Sequence, residues 1–284
     1  MGKRFDLRFS KHSIGIVCRG SSDDVLLAKR LHEHIKSLRD DITVLVDEGT
    51  AQKLHVEGCD IGDIDADFII CIGGDGTILR TLHLMRKALP VLGVNTGDLG
   101  FLTEVQPENA FDVIAEMLKM SRCTVEREER LSVRIDGNDH IPYAMNEAVI
   151  ITAKPGKMLH LAIFMDDEEI ERIRADGLIL ATPIGSTAYA MSAGGPIVDT
   201  SVEAMIIVPI APFKLAARPI VADIDRNISI KTLSEKEVEL VIDGQFYRRI
   251  SSDKRILITR GEPAYFVRVQ EYQMRIKEKL LQVC

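Results

Sequence analysis

The first 120 residues alternate short apolar segments with longer segments in which apolar residues recur every three or four positions. The short segments predict β-strands and the longer ones predict α-helices. Strands are predicted over 13–18, 42–46, 67–72 and 91–94, and helices over 25–38, 78–89 and 110–120. Strands that alternate with helices typically form a parallel sheet with covered faces. We therefore expect an α/β domain with a parallel sheet over residues 1–122.

The pattern changes after about residue 122, where strand signals follow one another without long helices between them. Strands are predicted over 131–135, 148–152, 159–165, 177–181, 228–232, 238–242, 255–258 and 266–269. Several alternate apolar and polar residues, which is typical of half-buried strands. We therefore expect an all-β domain over residues 123–269. The segment 271–281 predicts a helix, so we expect the tail, residues 270–284, to pack back on the first domain.

Composition excludes several functional classes. The chain has 36 basic and 43 acidic residues among 284, a net charge of −7, whereas a nucleic-acid-binding protein needs a basic surface. No apolar run approaches the roughly 20 residues of a membrane span, and the polar N-terminal segment does not resemble a signal peptide. The five cysteines are scattered without a C-x-x-C pair, which argues against zinc and disulfides. We expect a cytoplasmic protein that binds neither nucleic acid nor membrane.

The segment Gly73-Gly74-Asp75-Gly76-Thr77 lies between a buried strand and a helix. Its glycines allow backbone N–H groups to approach a phosphate, and the following helix favours an anion at its N-terminus. An aspartate in such a loop suggests handling of a proton or Mg²⁺. The alternative is a tight turn in which the aspartate caps the helix. The pattern is neither a Walker A loop nor a Rossmann fingerprint.

Two further segments carry polar residues where ligands commonly bind. Residues 95–102 (NTGDLGFL) follow the next predicted strand, and ligands of parallel sheets bind at the carboxyl ends of strands. A simple turn is the alternative. Asn146 and Glu147 interrupt an apolar segment, and burying them costs free energy unless they find partners. They could contact an adenine edge and ribose hydroxyls, or form an exposed bulge.

The longest candidate segment runs from Asp176 to Pro196 and includes TPIGSTAY and SAGGP. Small and hydroxyl residues, with a tyrosine that could stack on a ring, indicate a close-fitting pocket for a flat polar ligand. A flexible Ser/Gly loop is the alternative. Residues 243–245 (DGQ) alone predict a hairpin turn.

Taken in order, these segments resemble the ATP-NAD kinase family. The family's GGDGT, NxGxLGFL, NE, DG…TPTGSTAY…SAGGP and DGQ motifs match residues 73–77, 95–102, 146–147, 176–196 and 243–245. The resemblance covers nearly the whole chain from about residue 13. It departs at Ile184, which stands where the family usually has threonine, and this puts a polar contact there in doubt.

The resemblance implies an N-terminal α/β domain, a sandwich-like C-terminal domain, and phosphorylation of the adenosine-ribose 2′-hydroxyl of NAD to give NADP. Asp75 would be the general base, and Gly73, Gly74, Gly76 and Thr77 would form the phosphate-binding loop. The NAD-binding residues would be Phe101, Asn146, Glu147, Arg174, Asp176, Thr187, Ala188, Tyr189, Ser192 and Gln245. Mg²⁺, or another divalent cation, would be held mainly by the phosphates of the donor.

Two alternative functions, and several choices of phosphoryl donor and acceptor, stay open beside the NAD kinase expectation. A lipid kinase of the diacylglycerol type shares versions of GGDGT, and a non-catalytic NAD or nucleotide sensor could share the fold. The donor could be ATP, another triphosphate or polyphosphate, and NADH could serve as acceptor. The resemblance also implies a homodimer or homotetramer in which Asp176 reaches the NAD of a neighbouring subunit.

Overall fold

The computed structural model describes residues 3–97, 100–137, 141–154, 156–214 and 216–269, and the chain divides into two compact units. Among the described residues, the first unit contains those up to Arg127 together with Ala264–Val269. The second unit is the continuous segment Glu128–Pro263.

The first unit contains seven strands and four helices in its described part. The strands are β1 (Arg4–Arg8), β2 (Ser13–Cys18), β3 (Thr43–Val46), β4 (Phe68–Gly73), β5 (Pro90–Asn95), β6 (Arg122–Glu128) and β18 (Ala264–Arg268). The helices are α1 (Ser22–Leu38), α2 (Glu48–Leu54), α3 (Asp75–Leu84) and α4 (Ala110–Met120), with a short 3-10 helix over Ile61–Asp63.

These strands form one sheet in the order β1-β6-β18-β5-β4-β2-β3. The strands from β18 to β3 pair in parallel, and β1 pairs with β6 antiparallel. From β2 the chain passes through α1 to β3 on one side, and then returns to β4 on the other side of β2. Ligands of open parallel sheets bind at such a reversal of strand order, outside the carboxyl ends of the strands.

Helices pack against both faces of the sheet. Leu92 and Val94 of β5 belong to the apolar cluster that contains residues of α1 and α4. Gly93, between them, points the opposite way, because a methyl group on it would lie 2.7 Å from Ile78 of α3. Successive strand residues face opposite sides of a sheet, so α3 covers the second face.

The second unit contains eleven strands and one short helix in its described part. The strands are β7 (Leu131–Ile135), β8 (Glu147–Thr152), β9 (Leu159–Met165), β10 (Glu168–Ala175), β11 (Gly177–Ala181), β12 (Ala204–Ile210), β13 (Ile220–Asp223), β14 (Ile228–Thr232), β15 (Val238–Ile242), β16 (Phe246–Ile250) and β17 (Arg255–Arg260). A 3-10 helix over Ile184–Thr187 leads into α5 (Tyr189–Ser192).

These strands form a five-stranded sheet, β10-β9-β14-β17-β7, and a six-stranded sheet, β13-β12-β11-β8-β15-β16. One apolar cluster draws residues from both sheets, for example Leu161 of β9 and Leu180 of β11. Two antiparallel sheets that share a core form a β-sandwich. The expected combination of an α/β unit and a sandwich-like unit is confirmed.

Most strand positions agree with the sequence prediction, but the domain limits do not. The sequence analysis placed residues 123–127 and 264–269 in the second domain. The structure places them in the first unit, because β6 pairs with β1 and β18 pairs with β5. The expected packing of the tail concerns residues 270–284, which lie outside the described residues.

The remaining structural expectations concern cysteines and membrane spans. Cys18, Cys59, Cys71 and Cys123 are free. In the described part of the chain, none of the helices combines the length and apolar character that a membrane crossing requires.

Candidate functional site

The GGDGT segment forms the turn from β4 into α3. Gly73 has φ +152°, and a methyl group on it would lie 2.2 Å from the Thr77 hydroxyl, so this position requires glycine. Gly74 is the N-cap of α3, and its carbonyl accepts a hydrogen bond of 3.0 Å from the Thr77 N–H. Asp75 is therefore the first helical residue, and the alternative in which it caps the helix is not observed.

The Asp75 carboxylate binds the backbone of the second glycine-bearing segment. Its Oδ2 accepts the N–H of Phe101 at 2.7 Å, and its Oδ1 accepts the N–H groups of Leu102 and Thr103 at 2.9 and 3.2 Å. A methyl group on Gly100 would lie 2.4 Å from Asp75 Oδ1, so the close approach needs glycine there. The two sequence motifs are thus joined through Asp75.

The same two segments also meet at the carboxyl ends of β4 and β5. Gly73 lies opposite Asn95 in the parallel register, and the Thr96 N–H donates to the Gly73 carbonyl at 3.3 Å. This confirms that both glycine-bearing segments lie at one edge of the sheet. Residues 98–99 of the second motif lie outside the described residues.

The second unit contains its own polar cluster, centred on the Asp243 carboxylate. This carboxylate accepts the backbone N–H groups of Met145, Asn146 and Glu147 at 2.8, 2.8 and 3.0 Å. Asp243 follows β15 with φ +50° in the hairpin that leads to β16. The DGQ hairpin is confirmed, and its aspartate fixes the backbone of the Asn-Glu pair.

Glu147 is buried with one oxygen unpaired. Its side chain accepts the N–H of Tyr189, but Oε2 has no hydrogen-bond partner among the described residues. Burial, together with the nearby charge of Asp243, raises the pKa of Glu147 to about 7. A buried acceptor without a partner is costly, and a ligand hydroxyl would satisfy it.

The TPIGSTAY segment turns back onto this cluster after β11. The Thr182 hydroxyl donates to the Met145 carbonyl at 2.7 Å and accepts the Gly185 N–H at 3.0 Å. Thr187 and Ala188 are half-buried in the turn that follows, whereas Tyr189 and Ser192 of α5 are exposed. The segment is therefore an anchored turn rather than a flexible loop.

Two of the predicted NAD-binding residues, Asp176 and Arg174, lie away from the cluster around Asp243, and a third, Gln245, is exposed. Asp176 and Arg174 precede β11, whereas Thr182 follows it. In the antiparallel register Gly177 lies opposite Ile151, which is at the other end of β8 from Glu147. The five residues of β11 span about 17 Å. Asp176 and Arg174 are therefore not brought together with Asn146 within one chain. Gln245 is exposed in the hairpin turn.

Sequence reasoning missed several residues that shape these clusters. Asp243 belonged to a quoted motif, but its positive φ and its role as an acceptor depend on the pairing of β15 with β8. Thr182 was treated as pocket lining, although its hydroxyl joins two backbone segments. Arg19 and Asp24 belonged to no recognised motif, although Arg19 directly follows the predicted strand 13–18 and Asp24 lies in the next helix, α1.

Comparisons with known proteins agree with this arrangement. Residues 11–122 match the ATP-NAD kinase N-terminal domain, and residues 145–269 match the ATP-NAD kinase C-terminal domain. The NAD kinase of Methanothermobacter thermautotrophicus is 46% identical over 277 residues, covering 95% of this chain and 96% of that protein. The NAD kinase of Thermococcus sibiricus is 42% identical over 277 residues, covering 93% and 99%.

Two solved structures are also similar. An NAD kinase from Archaeoglobus fulgidus in complex with ATP aligns with a TM-score of 0.78 and 33% identity, covering 95% of this chain and 98% of that chain. Yeast NADH kinase complexed with NADH aligns with a TM-score of 0.87 and 27% identity, covering 94% and 87%. The chain therefore belongs to the ATP-NAD kinase family.

Proposed function

We propose that the chain transfers the terminal phosphoryl group of ATP to the adenosine-ribose 2′-hydroxyl of NAD. The 2′-oxygen bonds to the terminal phosphorus, the bond to the bridging oxygen breaks, and ADP and NADP are released. The observation that carries the proposal is the position of Asp75, an acid at the start of α3 within a glycine-rich turn. Relatives named NAD kinase and the ATP-bound neighbour support the substrates.

In this proposal Asp75 is the general base that accepts the proton of the 2′-hydroxyl. A carboxylate offers about four acceptor positions, and the contacts described above fill three of them. Oδ2 accepts only the Phe101 N–H among the described residues, which leaves it capacity for a proton. The three N–H bonds also hold the carboxylate in place, and positioning supplies much of the rate in phosphoryl transfer.

The phosphate-binding part of the proposal rests on the β4–α3 turn. The space next to Gly74 is open, since a methyl group there would meet no atom within 4 Å. The first turn of α3 presents N–H groups that favour a phosphate. Gly73, Gly76 and Thr77 complete the turn. We assign Mg²⁺ to the donor phosphates, where it would neutralise charge during transfer; the described residues contain no cluster of three metal-ligating side chains.

The second unit supplies the NAD-binding residues in this proposal. Glu147 Oε2 is a buried acceptor that suits a ribose hydroxyl, and Asn146 is half-buried beside it in sequence. The exposed ring of Tyr189 is available for stacking on a base. Phe101 in the first unit, and Thr187, Ala188, Ser192 and Gln245 in the second, stay predictions as NAD contacts. We also propose NADH as a second acceptor, because one structural neighbour is a yeast NADH kinase complexed with NADH.

We further propose that the active form is a homodimer or homotetramer. The argument is that Asp176 and Arg174 lie at the opposite end of β11 from the Asn-Glu pair, which is too far for one chain to use both on one nucleotide end. A second copy can supply them, as the family resemblance implies. A cytoplasmic location accords with the free state of the four cysteines in the described part of the chain, since free thiols suit a reducing compartment.

The test of the proposed activity is NADP formation from NAD, ATP and Mg²⁺ in a coupled assay with purified protein. A panel of ATP, other triphosphates, polyphosphate and NADH identifies the donor and acceptor. Absence of product with every combination would contradict the kinase function and favour a nucleotide sensor. Phosphorylation of diacylglycerol instead would favour the lipid kinase.

Asp75→Asn then tests the base. We expect kcat to fall by about 10²–10⁴, while the Kd for NAD changes little. Asp112→Asn, the same change at an exposed position of the same unit, should keep full activity. If Asp75→Asn kept more than a tenth of the wild-type kcat at saturating substrates, Asp75 would be a structural acceptor and not the base.

A further inference from the structure

Arg19 lies directly after β2, at the reversal of strand order. Its N–H donates to the carbonyl of Ile72 at 3.0 Å, which ties the end of β2 to the end of β4. Its Cβ lies 3.2 Å from where a methyl group on Gly73 would stand, and its Nη1 lies 3.8 Å from the corresponding position on Gly97. The side chain therefore reaches from Gly73, the first glycine of GGDGT, to Gly97 in the segment that follows β5.

A buried aspartate holds this arginine. Asp24 of α1 is completely buried, and its Oδ2 accepts Arg19 Nε at 3.2 Å. Its other oxygen accepts the hydroxyl of Thr96. Burial works to raise the pKa of Asp24, but hydrogen bonds from Ser21 and Thr96 and the charge of Arg19 outweigh burial and lower it. Asp24 is thus an ionised buried group that holds Arg19 next to Thr96, in the segment that follows β5.

The contact with Asp24 uses only Nε of the guanidinium. Within the described ranges, neither Nη1 nor Nη2 of Arg19 has a hydrogen-bond or ion-pair partner, and 53% of the side chain is exposed. A guanidinium held through Nε still presents its two terminal amino groups, which match the geometry of phosphate oxygens.

We propose that Arg19 binds a phosphate group of the phosphoryl donor and that Asp24 is its positioning residue. This proposal rests on the kinase function and adds a cation to the phosphate-binding turn. Nη1 of Arg19 lies near Gly97, and the neighbouring Thr96 N–H donates to the Gly73 carbonyl, so the charge of Arg19 lies next to the segment that is hydrogen-bonded to the turn we assign to the donor. A fixed positive charge there stabilises the negative charge of the transferring group, which is the main task of a protein in phosphoryl transfer.

The test uses Arg19→Gln and Arg19→Lys in the full-length chain. Gln keeps a donor for Asp24 but removes the charge, and Lys keeps the charge but removes the paired amino groups. The matched control is Arg86→Gln, an arginine of the same unit that is 67% exposed and pairs with Asp63. Each variant is assayed with ATP and NAD varied separately, and binding of inorganic tripolyphosphate is measured by calorimetry.

For Arg19→Gln we expect kcat/KM for ATP and tripolyphosphate affinity to fall about 10- to 100-fold, the range for losing hydrogen bonds to a charged group. The KM for NAD and the melting temperature should change little, Arg19→Lys should recover part of the loss, and Arg86→Gln should resemble wild type. Unchanged ATP parameters, or an increase in the KM for NAD alone, would overturn the assignment. An equal loss in both Arg19 variants with a lowered melting temperature would show a purely structural role. A wild-type protein that forms no NADP but binds tripolyphosphate through Arg19 would overturn the kinase function and not the phosphate contact.

Discussion

Gly185 packs directly against Asn146: a methyl group on Gly185 would lie 2.0 Å from the Asn146 carbonyl oxygen and 2.7 Å from its α-carbon. Both neighbours are backbone atoms, so a small rotation of a side chain cannot relieve the contact. The turn after β11 can therefore lie on the Asn-Glu pair only because residue 185 has no side chain.

Gly185→Ala should disrupt this contact. We expect the second unit to lose about 1–3 kcal/mol of stability, the usual cost of overpacking, and the KM for NAD to rise as Asn146 is displaced. Thermal unfolding and steady-state kinetics measure the two effects. An alanine variant with wild-type stability would mean that the turn and Asn146 are farther apart than the structure shows.

Gly74→Ala should behave in the opposite way. The residue has extended backbone angles, φ −93° and ψ −172°, and open space around it, so the fold does not require glycine. We expect an unchanged melting temperature but a rise of at least about 10-fold in the KM for ATP, because the methyl group would occupy space assigned to phosphate. Wild-type kinetics would place the donor away from Gly74.

Together these two glycines show how far sequence reasoning could reach. The sequence motifs located both glycines. Six predicted strands also have the limits that the structure shows, namely 13–18, 131–135, 159–165, 177–181, 228–232 and 238–242. Sequence alone could not separate a glycine needed for packing from one that leaves room for a ligand. That distinction depends on contacts across 39 positions, from 146 to 185. The same limitation hid Asp243, which acts through strand pairing, and misplaced β18, whose partner β5 is distant in sequence.

The raised pKa of Glu147 makes stability depend on pH. Below about pH 4.5 the Glu147 carboxyl group is protonated in both the folded and the unfolded chain, and the full contribution of this group to folding stability is present. Between 4.5 and about 7 the unfolded chain releases the proton while the folded chain keeps it, so stability falls as pH rises. Glu147→Gln removes this dependence, and its stability relative to wild type should increase by about 3 kcal/mol from pH 4.5 to pH 8.

Urea unfolding at both pH values measures this difference, with Glu237→Gln at an exposed site of the same unit as the baseline. A Glu147→Gln difference that does not grow with pH would mean that the carboxyl is hydrated in solution.

Arg268 forms a buried ion cluster in the first unit, and removing its charge should destabilise that unit. Its Nε lies 2.7 Å from Glu126 and its Nη1 lies 3.5 Å from Glu104, with side-chain exposures of 2%, 5% and 3%. Arg268→Met would remove this cation from two buried carboxylates, of which Glu126 keeps Arg4 at 3.0 Å, so we expect a loss of about 3 kcal/mol. Arg122→Met, at an exposed pair with Asp6, should cost less than about 1 kcal/mol. Equal losses from both variants in urea unfolding would contradict the assigned burial.

The assembly proposal predicts complementation between inactive chains. Asp75→Ala and Asp176→Ala should each be inactive alone, whereas co-expressed chains should recover activity in mixed oligomers. In a mixed dimer one of the two sites combines the intact aspartates of both chains, and random mixing makes half of the dimers mixed, so activity should reach up to about a quarter of wild-type activity. Mixed oligomers that mass spectrometry detects but that stay inactive would place both residues in one subunit's site.

The position of β18 has a consequence for synthesis on the ribosome. β18 lies between β5 and β6 in the first unit's sheet, yet it is made after the whole of Glu128–Pro263. The N-terminal half therefore emerges with a gap in its sheet and an unpaired edge on β5, the kind of edge that invites aggregation during folding. The middle of the chain has every strand of both its sheets and can fold first. The sheets of the second unit can therefore be complete before the sheet of the first unit, although synthesis of the first unit begins earlier.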